Sequence, residues 1–117
     1  MKLKLLIIED NPAIRRVIRS IVTSLAEEIY ECEDGAEALA AYLTQRPDFV
    51  LMDIAMSRLD GIAATRQIRA ADPEAKVIIV TNYDEADLRE AARAAGACDY
   101  VLKENLLALR QRLRTAA

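Results

Sequence analysis

The sequence predicts an α/β fold: five parallel strands, each followed by a helix, in a doubly wound (βα)5 domain. Three observations point to it. Short apolar runs alternate five times with apolar stripes of helical period. Four of the five runs end in a reactive polar group, and proline, glycine and asparagine punctuate the boundaries between runs and stripes.

The first run, residues 5–8, leads into Glu9-Asp10. Asn11-Pro12 then supplies a helix cap and a proline at the first helical position, where its missing N–H does no harm. Ile14, Val17, Ile18, Ile21, Val22 and Leu25 follow at amphipathic spacing. The second run is 29–32, and Ala36, Leu39, Ala40 and Leu43 form the next stripe. Pro47 stops that helix before the third run, 49–52, which ends at Asp53. Ala64, Ile68 and Ala71 make the third stripe, and Pro73 closes it. The fourth run, 77–80, ends at Thr81 and is followed by Leu88, Ala91, Ala92 and Ala95. Gly96 stands where a left-handed helix cap favours glycine. The fifth run, 100–102, ends at Lys103, and Leu106, Leu109 and Leu113 mark the last helix.

Alternating strands and helices give a parallel sheet covered on both faces, which suits strands as continuously apolar as 77–80. Right-handed crossovers place every strand C-terminus on the same edge. For five such strands the expected order is 2-1-3-4-5, flavodoxin-like, with its switch point between the first and third strands. Glu9, Asp10 and Asp53 belong to that crevice.

A chain of 117 residues is expected to be a single domain, 1–117, with one core. The apolar runs are too short to span a bilayer and no secretory pattern opens the chain, so a cytoplasmic location is expected and no membrane role. A net charge of −3 argues against direct nucleic-acid binding. Cys32 and Cys98, in a chain without histidine, are read as buried reduced thiols. Asp34-Gly35 and Asp60-Gly61 are read as turns, and Arg110, Arg112 and Arg114 as a solvated face.

Two unit charges about 4 Å apart repel by roughly 4 kcal/mol at an effective dielectric near 20, so three clustered carboxylates need a compensating cation. Lys103 offers one positive charge. A divalent ion offers the rest, and the all-oxygen donors with no histidine favour Mg²⁺ (or Mn²⁺) over zinc. An aspartate beside such a cation, with Lys103 and the Thr81 hydroxyl in reach, is equipped to attack phosphorus, giving an acyl phosphate on Asp53.

Glu9-Asp10, the stretch from Asp53 to Gly61, Thr81, and the stretch from Gly96 to Lys103 together resemble the receiver domain of two-component response regulators, over essentially the whole chain. The resemblance implies that Asp53 is the phosphoacceptor, served by a sensor histidine kinase or a histidine phosphotransfer protein. It implies that Asp10, Asp53 and the backbone carbonyl of Ala55 bind the metal, with Glu9 acting through water. Thr81 and Lys103 would bind phosphoryl oxygens, and Tyr100 would be the switch aromatic. Ala55 and Tyr83 would modulate the acyl phosphate lifetime. The surface of the fourth helix, fifth strand and fifth helix would meet partners, a homodimer included. The implied protein is a signalling switch with slow self-dephosphorylation rather than a metabolic enzyme.

Two positions depart from the family pattern. Ser57 stands where proline is common, and Glu104 follows Lys103 where many members have a cis-proline. The second departure resembles receivers that precede LuxR-type DNA-binding domains.

Other functions compete. A flavodoxin-like electron carrier shares the topology but needs a phosphate loop where Glu9-Asp10-Asn11-Pro12 would repel phosphate. A haloacid-dehalogenase-like phosphatase needs a second acid where Ala55 stands. No P-loop motif occurs. A receiver-like interaction module that is never phosphorylated remains the main alternative.

Overall fold

The computed structural model describes residues 2–116. Strands β1 (Leu3–Ile8), β2 (Ala26–Cys32), β3 (Phe49–Met52), β4 (Val77–Thr81) and β5 (Asp99–Leu102) alternate with helices α1 (Pro12–Val22), α2 (Ala38–Gln45), α3 (Gly61–Ala71), α4 (Ala86–Ala95) and α5 (Ala108–Ala116). Among the described residues the strands form one sheet, every pair parallel, in the order β2-β1-β3-β4-β5. The expected topology is therefore correct.

Side chains alternate across a strand, so each strand feeds two cores. Leu6, Ile8, Val50, Met52 and Ile79 pack with Ala38 and Tyr42 of α2, Ala64 and Ile68 of α3, and Ala92 of α4. Leu5, Ile7, Leu51, Ile78 and Val80 pack with Ile18 and Val22 of α1 and with Leu109 and Leu113 of α5. This is the doubly wound arrangement, and it explains why the central strands read as unbroken apolar runs.

Asn11 caps α1, its side chain accepting from the N–H groups of Ala13 and Ile14, with Pro12 in the first turn. Gly96 ends α4 at φ 105°, a conformation that suits a residue without Cβ. Arg69 of α3 clips that end in place, because its Nη1 donates to the carbonyls of both Ala75 and Gly96 at 3.2 Å.

Several expectations need correction. The second strand begins at Ala26, ahead of the apolar run at 29–32, because its first residues are edge-strand glutamates and an alanine with no apolar signal. The buried line of α2 is Ala38 and Tyr42, one position out of phase with the predicted stripe, and Leu43 is exposed. Tyr42 tolerates burial because its hydroxyl donates to Asp72 at 2.6 Å.

Cys98 is exposed rather than buried, since it lies between the end of α4 and the start of β5. Arg110 is no solvated charge: its Nε donates to the Ile21 carbonyl at 2.8 Å and ties α5 to α1. Neither Asp34-Gly35 nor Asp60-Gly61 is a turn requiring positive φ. Asp60 caps α3 through Ala63 N, and a Cβ on Gly61 would lie 1.8 Å from the Asp53 carbonyl oxygen.

Candidate functional site

Backbone bonding continues one residue past the strands and fixes the acids. Glu9 N donates to Cys32 O at 3.1 Å, and Asp53 N donates to Ile8 O at 3.0 Å. The parallel order then sets β1 beside β3, so Glu9, Asp10 and Asp53 meet, each offering a carboxylate oxygen within 4.8 Å of the others. Lys103, the first residue after β5, reaches across the edge to them. Its Nζ lies 2.7 Å from Glu9 Oε1 and 3.3 Å from Asp53 Oδ1. Asp53 Oδ1 also accepts from Ile54 N at 2.9 Å.

The electrostatics are those of acids short of positive charge. Glu9 is 1% exposed and its carboxyl is raised to about 7, chiefly by burial, with the Lys103 ammonium and Asn11 N–H only partly offsetting this. Burial likewise raises Asp53, Lys103 lowers it in part, and the Asp10 charge adds to the rise. Burial alone would lower Lys103, but Glu9 and Asp53 outweigh it and hold the ammonium above its ordinary value.

A cation fits this donor set. Three hard oxygen donors converge without a histidine. The two buried carboxylates resist ionising with Lys103 alone, and Glu9 Oε1 meets the ammonium as an ion pair rather than through an aligned hydrogen bond. A cleft of about 290 Å³ opens onto the cluster, lined by Glu9, Asp10, Asp53, Ala55, Tyr83 and Lys103, together with Asn11, Ile14 and Asn82. Every predicted site residue except Thr81 and Tyr100 borders it.

Thr81 ends β4 fully buried, with Oγ1 3.4 Å from Tyr83 N. Tyr100 lies on the next strand, half-buried. Its hydroxyl donates to Tyr83 O at 2.7 Å, and the Arg89 guanidinium sits 4.5 Å from the ring centroid. Tyr83 itself is exposed. Tyr83, which borders the cleft, thus links Thr81 to Tyr100 on β5.

Sequence reasoning missed Ile14 and Asn82, which carry no chemical signal of their own, and Arg15. Arg15 Nη1 donates to the Glu9 carbonyl at 2.7 Å, and its Nε pairs with Glu31 at 2.9 Å.

Comparison with known proteins gives one consistent result. The family model of the response regulator receiver domain matches residues 5–114. The response regulator MprA of Mycobacterium sp. (strain KMS) is 34% identical over 112 residues, covering 92% of this chain and 49% of MprA. The chain therefore spans about half the length of the MprA relatives it matches. Chemotaxis protein CheY of Listeria monocytogenes is 40% identical over 102 residues, 86% of each chain. A LuxR-family two-component response regulator from Aurantimonas sp. SI85-9A1 superposes with a TM-score of 0.93 at 28% identity, over 99% of this chain and 85% of the other.

Proposed function

Since the chain belongs to the response regulator receiver domain family of two-component signalling, we propose that it is a phosphorylation switch with Asp53 as the phosphoacceptor. The observation that carries this reading is the meeting of Glu9, Asp10 and Asp53 at the end of the sheet, with Lys103 paired to Glu9 and Asp53.

Asp10, Asp53 and the Ala55 carbonyl would hold a Mg²⁺ ion, with Glu9 assisting through water, and the ion would supply charge neutralisation for the phosphoryl oxygens. Asp53 is the nucleophile. Its Oδ1 is held by Ile54 N and Lys103, so Oδ2 attacks phosphorus in line with the bond to the donor. With a phosphohistidine donor the new O–P bond forms as the P–N bond breaks, and the imidazole leaves with the electron pair. The Lys103 ammonium moves with the developing charge, stabilising equatorial oxygens at close range. The donor is a sensor histidine kinase or a histidine phosphotransfer protein.

Esterification replaces one carboxylate charge by a dianion with three strong acceptors. Thr81, one residue beyond Val80 on β4, donates to them. The shift of the loop after Thr81 is felt by Tyr100, whose hydroxyl is bonded to that loop at Tyr83. The α4–β5–α5 surface then changes between two packed states and meets a partner, an output domain or a second copy. Ala55 and Tyr83 border the cleft and govern water access to the acyl phosphate.

Incubation with acetyl phosphate and Mg²⁺, followed by intact mass analysis, tests this. One phosphoryl group is expected on the wild type, and none on Asp53→Asn or in excess chelator. Equal incorporation in Asp53→Asn, or none in the wild type, overturns the proposal.

A further inference from the structure

Asp34 lies at the end of β2, outside the acidic cluster, and is only 3% exposed. It caps the short turn Gly35–Glu37 by accepting from Ala36 N at 2.9 Å. A cap needs no more than that, yet three further donors reach the same carboxylate from a segment 23–25 residues away. Ser57 Oγ donates to Oδ2 at 3.0 Å and Arg58 N to Oδ2 at 2.9 Å, while Leu59 N donates to Oδ1 at 3.1 Å. Each oxygen thus carries two bonds, and the set holds the carboxyl far below the ordinary aspartate range, the Ala36 N–H contributing most.

The segment held in this way is the loop between Asp53 and α3. Its ends are pinned independently. Gly61 N donates to Ile54 O at 2.9 Å, and Gly61 sits so close to the Asp53 carbonyl that no Cβ fits. Its middle belongs to neither strand nor helix, and residues 57–59 direct their donors at Asp34. Gly35 completes the grip from the same side, since a Cβ there would lie 2.3 Å from Leu59 O. Ala55, two residues before Ser57, borders the acidic cleft. Ser57 therefore supplies a hydroxyl donor where proline, common in the family, would supply none.

We propose that Asp34, with Gly35 and Ser57, is a positioning device for the cation site: it sets where the loop after Asp53 presents the Ala55 carbonyl. This rests on the reading of Asp53 as a metal-dependent phosphoacceptor, and it adds residues that touch neither cation nor phosphoryl group. Asp34→Asn keeps the side chain's size but replaces one acceptor oxygen with an N–H that opposes backbone donors. The loop is then released at Arg58 or Leu59.

The test is Mg²⁺ titration by calorimetry on the whole chain, with acetyl phosphate labelling at low and saturating Mg²⁺. Asp34→Asn is expected to weaken Mg²⁺ binding at least about five-fold and Ser57→Ala about two-fold. Saturating Mg²⁺ should restore the labelling rate of both to within about two-fold of wild type, the mark of a displaced ligand rather than a damaged nucleophile. Tyr42→Phe serves as a control for general loss of stability, because it removes the Asp72 bond elsewhere. Its Mg²⁺ affinity should match wild type.

Folded Asp34→Asn with wild-type affinity overturns the proposal. Should Asp34→Asn fail to fold, unchanged affinity in Ser57→Ala overturns it equally. If wild type itself neither binds Mg²⁺ nor becomes labelled, the phosphoacceptor reading has failed instead.

Discussion

Lys103 stands closer to Glu9, at 2.7 Å, than to Asp53, at 3.3 Å. The ammonium thus serves first the acid that is not the proposed nucleophile. From this pairing follow the responses to protons and to cations expected of the site.

In metal-free buffer, Glu9 ionises near 4.5 in the unfolded chain and near 7 in the folded one. Between those values the native state holds a proton that the unfolded state has lost, so stability falls as pH rises and levels off above 7. The full effect is about 3 kcal/mol, and the raised Asp53 acts in the same direction. Urea unfolding with chelator present should give a higher stability at pH 5.5 than at pH 8 by about 2 kcal/mol. Glu9→Gln should flatten the profile, and Mg²⁺ should stabilise more at pH 8, where it displaces no proton. The depressed Asp34 and Asp72 oppose this trend only at more acidic pH, losing their contribution as they become protonated.

Lys103→Met removes the one ammonium among three acids. At pH 8 it should cost about 3 kcal/mol. At pH 5.5, where Glu9 takes up a proton, the loss should be clearly smaller. A loss equal at both values would mean that packing of the lysine stem, rather than its charge, matters there.

Tyr100 is held from two sides, by the Tyr83 carbonyl and by the Arg89 guanidinium. Tyr100→Phe should cost about 1 kcal/mol, and Arg89→Ala about 0.5 kcal/mol. Because both act on one ring, a double-mutant cycle should show coupling rather than additivity. The tyrosine ring resonances of Arg89→Ala should also respond to beryllofluoride at a lower dose than those of wild type.

Gly61→Ala would force a methyl group into the Asp53 carbonyl, so backbone at the proposed phosphoacceptor must move. We expect a loss of about 3 kcal/mol together with loss of acetyl phosphate labelling. Retained labelling with wild-type stability would contradict the close approach.

Much of this was legible in the primary structure. Strand-end residues Glu9, Asp53 and Lys103 marked both the fold and the candidate cluster, because a parallel sheet brings strand C-termini to one edge whatever the loops do, whereas Thr81 ends its strand on that edge without bordering the cleft. Asp34 was not legible as a loop anchor: its partners are backbone N–H groups 24 and 25 residues away, which leave no trace in composition. Gly61 resembled a turn glycine, since a demand for empty space and a demand for positive φ select the same residue. The phase of α2 was misread because Tyr42 buries a large ring with its polar tip satisfied, whereas Leu43 carries a stronger apolar signal yet faces water.

The Arg69 clip on Ala75 and Gly96 fastens the end of α4 through the backbone, whereas its start has no side-chain cap from Glu85 and is tied to β5 by Arg89 on the Tyr100 ring. On the proposed switch reading, a disturbance of the residues after Thr81 is expected to reach this helix from its Ala86 side, through the Arg89–Tyr100 contact, while the Gly96 side stays held.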